Sequence, residues 1–125
     1  MSNRCKIIIK KFNILVNLRK TVTAKKIWES LPLQSKIKRW GDEIYFYTSL
    51  DIHLEPNAKD VVELGELAFW PEGKAIAIGF GRTPISIEEE IRLAAKCNIW
   101  GYTKFNLKNL KEIDEGELIT IEKLS

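Results

Sequence analysis

The stretch ELAFWPEGKAIAIGF, residues 66–80, decides the fold class of this chain. Two short apolar arms, Glu66–Trp70 and Lys74–Phe80, flank the turn Trp70-Pro71-Glu72-Gly73. Proline and glycine stand in this turn where a type I turn prefers them. The stretch therefore predicts a β-hairpin.

Short strand-like segments recur along the rest of the chain. In Phe12–Leu18 every second residue is apolar, which is typical of a half-buried strand. A second hairpin is predicted from Ser35–Trp40 and Glu43–Tyr47 around Gly41-Asp42. Further predicted strands are Cys5–Lys10, Leu50–Leu54, Asn98–Thr103 and Glu117–Lys123. Many short strands separated by turns predict a mostly-β barrel or sandwich rather than a βαβ sheet.

Two helices are predicted between these strands. Thr23–Leu31 begins at a plausible N-cap threonine, ends before Pro32 and carries one apolar face that suits an end plug for a barrel. Asn106–Glu112 is predicted as a second, short capped helix. In Ser86–Lys96, Ser86 and Glu89 form a capping box that favours a helix.

Composition limits the classes of function. The chain has 125 residues, 45% of them hydrophobic and 30% charged, which predicts one folded domain over residues 1–125. No apolar run suits a bilayer span or a signal peptide, so we predict a cytoplasmic protein without a membrane contact. With two cysteines and one histidine, His53, the chain has little from which to build a metal site or a nucleophilic triad. We expect no metal, no cofactor and buried, unreactive cysteines.

The charge is unevenly distributed. Residues 1–40 hold eleven Lys and Arg and one acid, whereas residues 41–125 hold nine Lys and Arg and sixteen acids. Such asymmetry fits a nucleic-acid face in the basic N-terminal third. It equally fits charge pairing between neighbouring strands, which we favour because the basic residues are spread over several elements.

Three ordered stretches carry a family resemblance. They are TAKKIWESLP (23–32) with WGDEIYF (40–46), ELGELAFWPEGKA (63–75) and IGFGRTP (78–84). Together they resemble the small prokaryotic cyclophilin-like family, whose function is unknown. The resemblance implies a closed cyclophilin-type β-barrel with a helix capping each end, and irregular or extended chain over Ser86–Lys96.

The chain departs from true cyclophilins, which are peptidyl-prolyl isomerases. Their groove combines an arginine, an aromatic pocket for the proline ring, a glutamine and a histidine. Here the only glutamine, Gln34, lacks a Gln-Gly-Gly context, and His53 lies outside any cyclophilin-like motif. The isomerase activity therefore does not carry over with the fold.

Two clusters are candidates for a groove. Arg39 and Trp40 precede the first hairpin turn, and Tyr45 follows it on the face opposite Ile44 and Phe46. Arg39 would supply a donor beside an aromatic shelf; alternatively, Trp40 is core and Arg39 pairs with Glu43. Asp42 and Glu43 are best explained as turn residues.

The second candidate cluster is Phe80, Arg82 and Thr83. Two glycines flank Phe80 and permit close backbone approach, while Arg82 and Thr83 offer donors on a turn. A bulge leading into a turn is the structural alternative.

These residues predict a groove-type binding module for a peptide segment or a small anionic metabolite, with little or no isomerase activity. We assign no catalytic residue. The alternatives are a peptidyl-prolyl isomerase and a protein that contacts nucleic acid through its basic N-terminal third.

Overall fold

The computed structural model describes residues 3–124, in which ten strands, one α-helix and one 3-10 helix are present. The helix α1 spans Val22–Ser30, and the 3-10 helix spans Leu107–Glu112. The strands are β1 (Arg4–Ile9), β2 (Phe12–Leu18), β3 (Leu33–Lys36), β4 (Lys38–Arg39), β5 (Glu43–Tyr47), β6 (Lys59–Val62), β7 (Glu66–Trp70), β8 (Ala75–Gly79), β9 (Ile91–Tyr102) and β10 (Leu118–Leu124). Neither helix of the described chain is long and apolar enough to cross a membrane.

One antiparallel sheet wraps into a nearly closed barrel. Its strand order is β3-β10-β1-β2-β9-β7-β8-β5-β4, with β6 paired to β9 outside this path. Only Ile37 separates β3 from β4 in the chain, so the two ends of the sheet lie side by side. The expected mostly-β barrel with a capping helix is confirmed.

The core fills the inside of the barrel. Every second residue of β1 and β2 is buried, as the period-2 pattern predicts. Ala24 and Ile27 of α1 and Leu107 and Leu110 of the 3-10 helix join the same apolar cluster, so both helices pack against the barrel interior. The buried side chains remove the apolar face of each element from water.

The helix α1 begins earlier than the sequence predicted. Thr21, not Thr23, is the N-cap, because its side chain accepts a hydrogen bond from the Ala24 N–H at 3.1 Å. Thr23 is instead buried inside the first turn, where its hydroxyl donates to Glu55 at 2.6 Å. Two neighbouring threonines satisfy the local capping rule, and tertiary contacts decide between them. The second helix agrees with its prediction, with Asn106 as the N-cap of a 3-10 turn.

The predicted strand Leu50–Leu54 was wrong. The segment is irregular, although Ile52 is buried in the core. Its end is held by side chains: Asn98 Nδ2 donates to the His53 carbonyl oxygen at 2.9 Å, and the Glu55 N–H donates to Asn98 Oδ1 at 2.8 Å. Because a buried asparagine satisfies these backbone groups, they need no strand partner.

Two other segments differ from their predictions. Ser35–Trp40 is not one hairpin arm, since β3 pairs with β10 and only the two residues of β4 pair with β5. Ser86–Lys96 is not helical: it is irregular up to Glu90 and then enters β9. Ser86 Oγ accepts from the Thr83 N–H at 2.9 Å, so this serine closes a turn rather than capping a helix.

Candidate functional site

The outer face of the barrel carries a row of small residues between large ones. Along β8, Ala75 lies directly between Tyr47 of β5 and Trp70 of β7. One step further, Ala77 lies between Tyr45 and Ala68. Since neighbouring strands are about 4.8 Å apart, the aromatic walls stand about 10 Å apart over an alanine floor. The sheet surface is therefore concave at this place.

The strand β9 closes this depression from a third side. Its C-terminal part pairs with β7 in the barrel, whereas Ile91–Cys97 leaves the barrel and pairs with β6. Leu93 and Cys97 then pack with Val62 into a second apolar cluster on the outside of the sheet. The result is a cavity of about 340 Å³, which we call the aromatic pocket. Its lining residues are Trp40, Glu43, Tyr45, Tyr47, Trp70, Ala75, Ala77, Leu93, Ala94, Ala95 and Cys97.

A buried carboxyl group lies in the aromatic pocket. Glu43 is only 6% exposed, and its Oε1 has no hydrogen-bond partner within the described chain. Burial raises the pKa of this carboxyl to about 7, because the ionised form loses its hydration. The Nε1 of Trp70 is likewise buried without a partner. Unpartnered buried polar atoms are rare in folded proteins and need an explanation.

The chemistry available in the aromatic pocket is recognition rather than covalent attack. Cys97 lines the pocket, but burial, together with the smaller effects of Glu43 and Asp60, raises the pKa of its thiol to about 12. A thiol in this state stays protonated and is a poor nucleophile. Cys5 is also a buried free cysteine, as expected. What remains is an apolar cavity with one acid and one N–H donor, an arrangement suited to binding a small group.

Arg39 is held by the protein itself. Its Nη1 donates to the carbonyl oxygens of Lys111 and Ile113 at 2.9 and 2.8 Å, and its Nη2 donates to Gly41 O at 3.0 Å. The guanidinium also lies 5.3 Å from the centre of the Phe80 ring. Arg39 does not pair with Glu43, and its donors tie β4 to the C-terminal end of the 3-10 helix.

The predicted groove residues do not line one common cavity. Trp40 and Tyr45 line the aromatic pocket. Phe80 and Arg82 line a separate cavity of about 460 Å³, which Lys108 and Lys111 also line. Arg39 and Thr83 line neither cavity.

Arg82 and Thr83 both hold the turn that they belong to. Arg82 is exposed and donates to the carbonyl oxygens of Glu88 and Ser86. Thr83 is 5% exposed, and its hydroxyl donates to the Arg92 carbonyl oxygen. These contacts are those of a turn, which is one part of the structural alternative given above for this stretch.

Sequence reasoning missed the carboxyl group of the aromatic pocket. Glu43 had been explained as a turn residue, yet its position on β5 carried a signal. The alternation of this strand places Glu43 on the same face as Tyr45 and Tyr47, whose outward direction was predicted. Trp70 is the last residue of β7, and no local sequence pattern indicates that it lies across Ala75 from Tyr47.

The basic N-terminal third contributes to ion pairs with the acidic remainder of the chain. These pairs are Lys10–Glu117, Lys11–Glu112, Arg19–Glu66 and Arg39–Asp42. Each joins a cation from residues 1–40 to an acid from residues 41–125, although none of the four joins two residues of neighbouring strands, which was the pairing favoured above.

Comparison with known proteins finds a family model and a solved structure that are similar to this chain. A family model described as "Cyclophilin-like" matches residues 3–122. The solution structure of a hypothetical protein from Archaeoglobus fulgidus is similar at a TM-score of 0.81, with 38% sequence identity over 98% of this chain and 95% of that one. No curated protein matches the chain.

Proposed function

This chain belongs to the cyclophilin-like family, and from that premise we propose that it is a binding module whose aromatic pocket receives a peptide segment or a small molecule. In this chain the pocket lies on the outer face of the barrel, and the fold supplies no activity by itself. The proposal includes little or no peptidyl-prolyl isomerase activity.

The unsatisfied Glu43 carboxyl is the observation that carries this proposal. A folded protein loses free energy by burying a polar group without a partner. Here such a group lies in a cavity with four aromatic side chains, Trp40, Tyr45, Tyr47 and Trp70. A ligand that supplies the missing hydrogen bond while covering the rings recovers that loss, so the cavity favours occupation.

The contacts of Arg39 support a low isomerase activity. Isomerisation needs a donor that interacts with the imide while it twists over a barrier of about 18–20 kcal/mol. The Arg39 side chain already makes hydrogen bonds to the carbonyl oxygens of Gly41, Lys111 and Ile113. Because these hydrogen bonds already occupy the guanidinium, it is not free to form a new one with the twisted imide. Interactions made only with the twisted state are those that raise turnover.

Between the predicted ligand classes, the charge of the aromatic pocket favours a peptide over an anion. The one charged side chain among its lining residues is Glu43, which repels an anion when ionised. The nucleic-acid alternative has less support, because several cations of the N-terminal third are paired with acids of the same chain.

Two exposed tyrosines allow a matched test. Tyr47 lines the aromatic pocket, whereas Tyr102 is similarly exposed on β9 and does not. We expect peptides titrated into labelled protein to shift pocket resonances in NMR spectra, with binding weakened in Tyr47→Ala and unchanged in Tyr102→Ala. Equal effects of both substitutions would place binding elsewhere.

The isomerase part is tested separately by NMR exchange on an Ala-Pro peptide. We expect exchange at the spontaneous rate, with interconversion taking tens of seconds, in the presence of the protein. Acceleration comparable to that of an ordinary cyclophilin would make the chain an enzyme.

A further inference from the structure

The aromatic pocket carries an inference about its ligand, which rests on the proposed function. We propose that the pocket recognises a primary ammonium group on an apolar stem, and that its occupant is a lysine side chain of a peptide partner. The ammonium would pair with the Glu43 carboxylate at one end of the pocket, and the stem would lie across the alanine floor.

Charge complementarity is the first argument. Glu43 is the charged group among the lining residues, and other acids stand near it. Burial is the largest cause that raises the pKa of Tyr45, and Tyr47, Glu115 and Glu43 also raise it. Burial is likewise the largest cause that raises the pKa of Cys97, and Glu43 and Asp60 also contribute. Asp60 is paired with Arg92, whereas Glu43 Oε1 has no partner in the described chain, so the potential at the Glu43 end of the aromatic pocket is negative and a cation is the complementary ligand.

Neighbouring cations of the protein do not neutralise this potential. Arg92 forms ion pairs with Glu90 and Asp60, at the rim formed by β6 and β9. Arg39 donates to backbone carbonyl oxygens and to Asp42. The Oε1 of Glu43 is left without any partner in the described chain.

The aromatic walls suit an ammonium group. A cation over the face of a tryptophan or tyrosine ring is attracted by the ring's negative face, most strongly when desolvated. Tyr45 and Tyr47 stand edge to face, with ring centres 5.9 Å apart, and Trp40 and Trp70 complete the wall. A primary ammonium also supplies N–H donors for Glu43 Oε1, which a quaternary ammonium lacks.

The shape of the aromatic pocket fits one side chain and the backbone that carries it. Its volume of about 340 Å³ lies near the lower limit of small-molecule sites, which begin at about 300 Å³. Glu43 is paired with Gly79 and Trp70 with Ala75, so the two unpartnered groups lie four residues apart along β8. Four strand residues span about 13 Å. A lysine ammonium at Glu43 therefore leaves the rest of this length for the peptide chain that carries it, which would run along the pocket toward Trp70.

The experiment uses two ligands that differ only in the charged end. Nα-acetyl-lysine methylamide and Nα-acetyl-norleucine methylamide are titrated into the wild-type protein at pH 8, where Glu43 is mostly ionised. Binding is followed by the NMR signal of the Trp70 indole N–H. We expect the lysine derivative to bind about tenfold more tightly or better, as for a hydrogen bond to a charged group.

Two protein variants locate the effect. Glu43→Gln keeps the shape of the side chain and removes its charge, so we expect the preference for lysine to disappear while weak binding of both ligands remains. Glu122→Gln removes an exposed acid of β10 and should leave the preference unchanged. Nζ-acetylation of the lysine derivative should abolish the preference without any change in the protein.

The outcomes separate this inference from the proposed function. Equal binding of the two ligands to the wild type, or a preference that survives in Glu43→Gln, overturns the lysine assignment but leaves a pocket that binds peptides. If neither ligand shifts any pocket resonance at millimolar concentration, and no other peptide or small molecule does so, the binding module itself is refuted.

Discussion

Two glutamates of this barrel are equally buried and behave in opposite ways. Glu66 and Glu43 are each 6% exposed. Glu66 accepts ion pairs from Lys59 at 2.8 Å and Arg19 at 3.0 Å, and the Glu63 N–H donates to it at 2.8 Å. Burial alone would raise the pKa of Glu66, but these donors outweigh burial and lower the pKa. Glu43 has burial without donors, and its pKa rises.

The difference teaches how to tell a structural acid from a binding acid. Glu66 is satisfied from three directions, so a ligand has nothing to add, and its role is to join β6, β7 and the segment after β2. Glu43 has the same chemistry and the same burial, but its missing partner leaves room for one from outside. The exposed fraction of the side chain does not distinguish the two roles, whereas the number of its hydrogen-bond and ion-pair partners does.

The largest expected effect is on stability at alkaline pH in Glu43→Gln. A carboxyl whose pKa is raised in the fold contributes most stability below its unfolded pKa of 4.5, and this contribution is lost as the pH rises through about 7. The loss corresponds to at most about 3 kcal/mol, at about 1.36 kcal/mol per pH unit. We expect Glu43→Gln to match the wild type at pH 4.5 and to exceed its free energy of unfolding by up to that amount at pH 8.

Urea denaturation at pH 4.5, 6 and 8 measures this difference directly. Taking the difference between variant and wild type cancels the titration of all other groups. A stability difference that is the same at all three pH values would mean that Glu43 is ionised in the folded protein and has a partner that we have not identified.

A smaller effect of opposite sign is expected for Glu66→Gln. Because the pKa of Glu66 is lowered, its contribution is present above the ordinary carboxyl pKa and is lost as the pH falls below it. Removing the charge should destabilise the protein at pH 7 by about 2 kcal/mol, in the range for hydrogen bonds to charged groups. The expectation is not larger because the Lys59 and Arg19 side chains are about 40% exposed and keep water contacts.

The exposed neighbour Glu63 provides the control for this experiment. Glu63→Gln keeps the backbone N–H that binds Glu66 and should change the free energy of unfolding by less than about 0.5 kcal/mol. If Glu63→Gln and Glu66→Gln are equally stable, the ion pairs of Glu66 contribute nothing to the free energy of unfolding. The contrast between a satisfied Glu66 and an unsatisfied Glu43 would then not hold.

The smallest effect on stability, with the sharpest effect on binding, is expected for Ala75→Leu. The added atoms enter the aromatic pocket between Tyr47 and Trp70 rather than the barrel core. We expect the free energy of unfolding to fall by about 1 kcal/mol, the low end for overpacking a fully buried position because the pocket has room for the added atoms, together with loss of peptide binding. A variant that binds the lysine derivative as tightly as the wild type would show that the floor of the pocket is not used.

Local sequence patterns predicted the barrel better than the site. The hairpin of β7 and β8, the alternation of β2 and the short helix after Asn106 follow from turn chemistry and periodicity. The outward direction of Tyr45 and Tyr47 follows from the same alternation. These features depend on neighbours within a few residues, which is the range over which a single sequence is informative.

The burial of Glu43 could not be predicted in this way. It depends on Ile91–Cys97 leaving the barrel to pair with β6, which brings Leu93 and Cys97 over the outer face of the sheet. The capping box at Ser86 and Glu89 even favoured a helix just before this segment. Similarly, the irregular path before Glu55 depends on the buried side chain of Asn98, more than forty residues away. Both are long-range effects with no local signature.

The two ends of the sheet, β3 and β4, meet at Ile37, and this affects how copies of the chain can associate. Strand edges with free N–H and C=O groups can add a strand from another molecule, the first step of amyloid-like growth. Here the edge strands β3 and β4 have four and two residues, and both backbone groups of Ile37 between them are bonded, to Glu117 and Gly116, at 2.9 Å. Another molecule therefore has no long free strand edge to pair with between β3 and β4. The nearly closed barrel disfavours edge-to-edge aggregation at this place, whereas an open sheet would permit it.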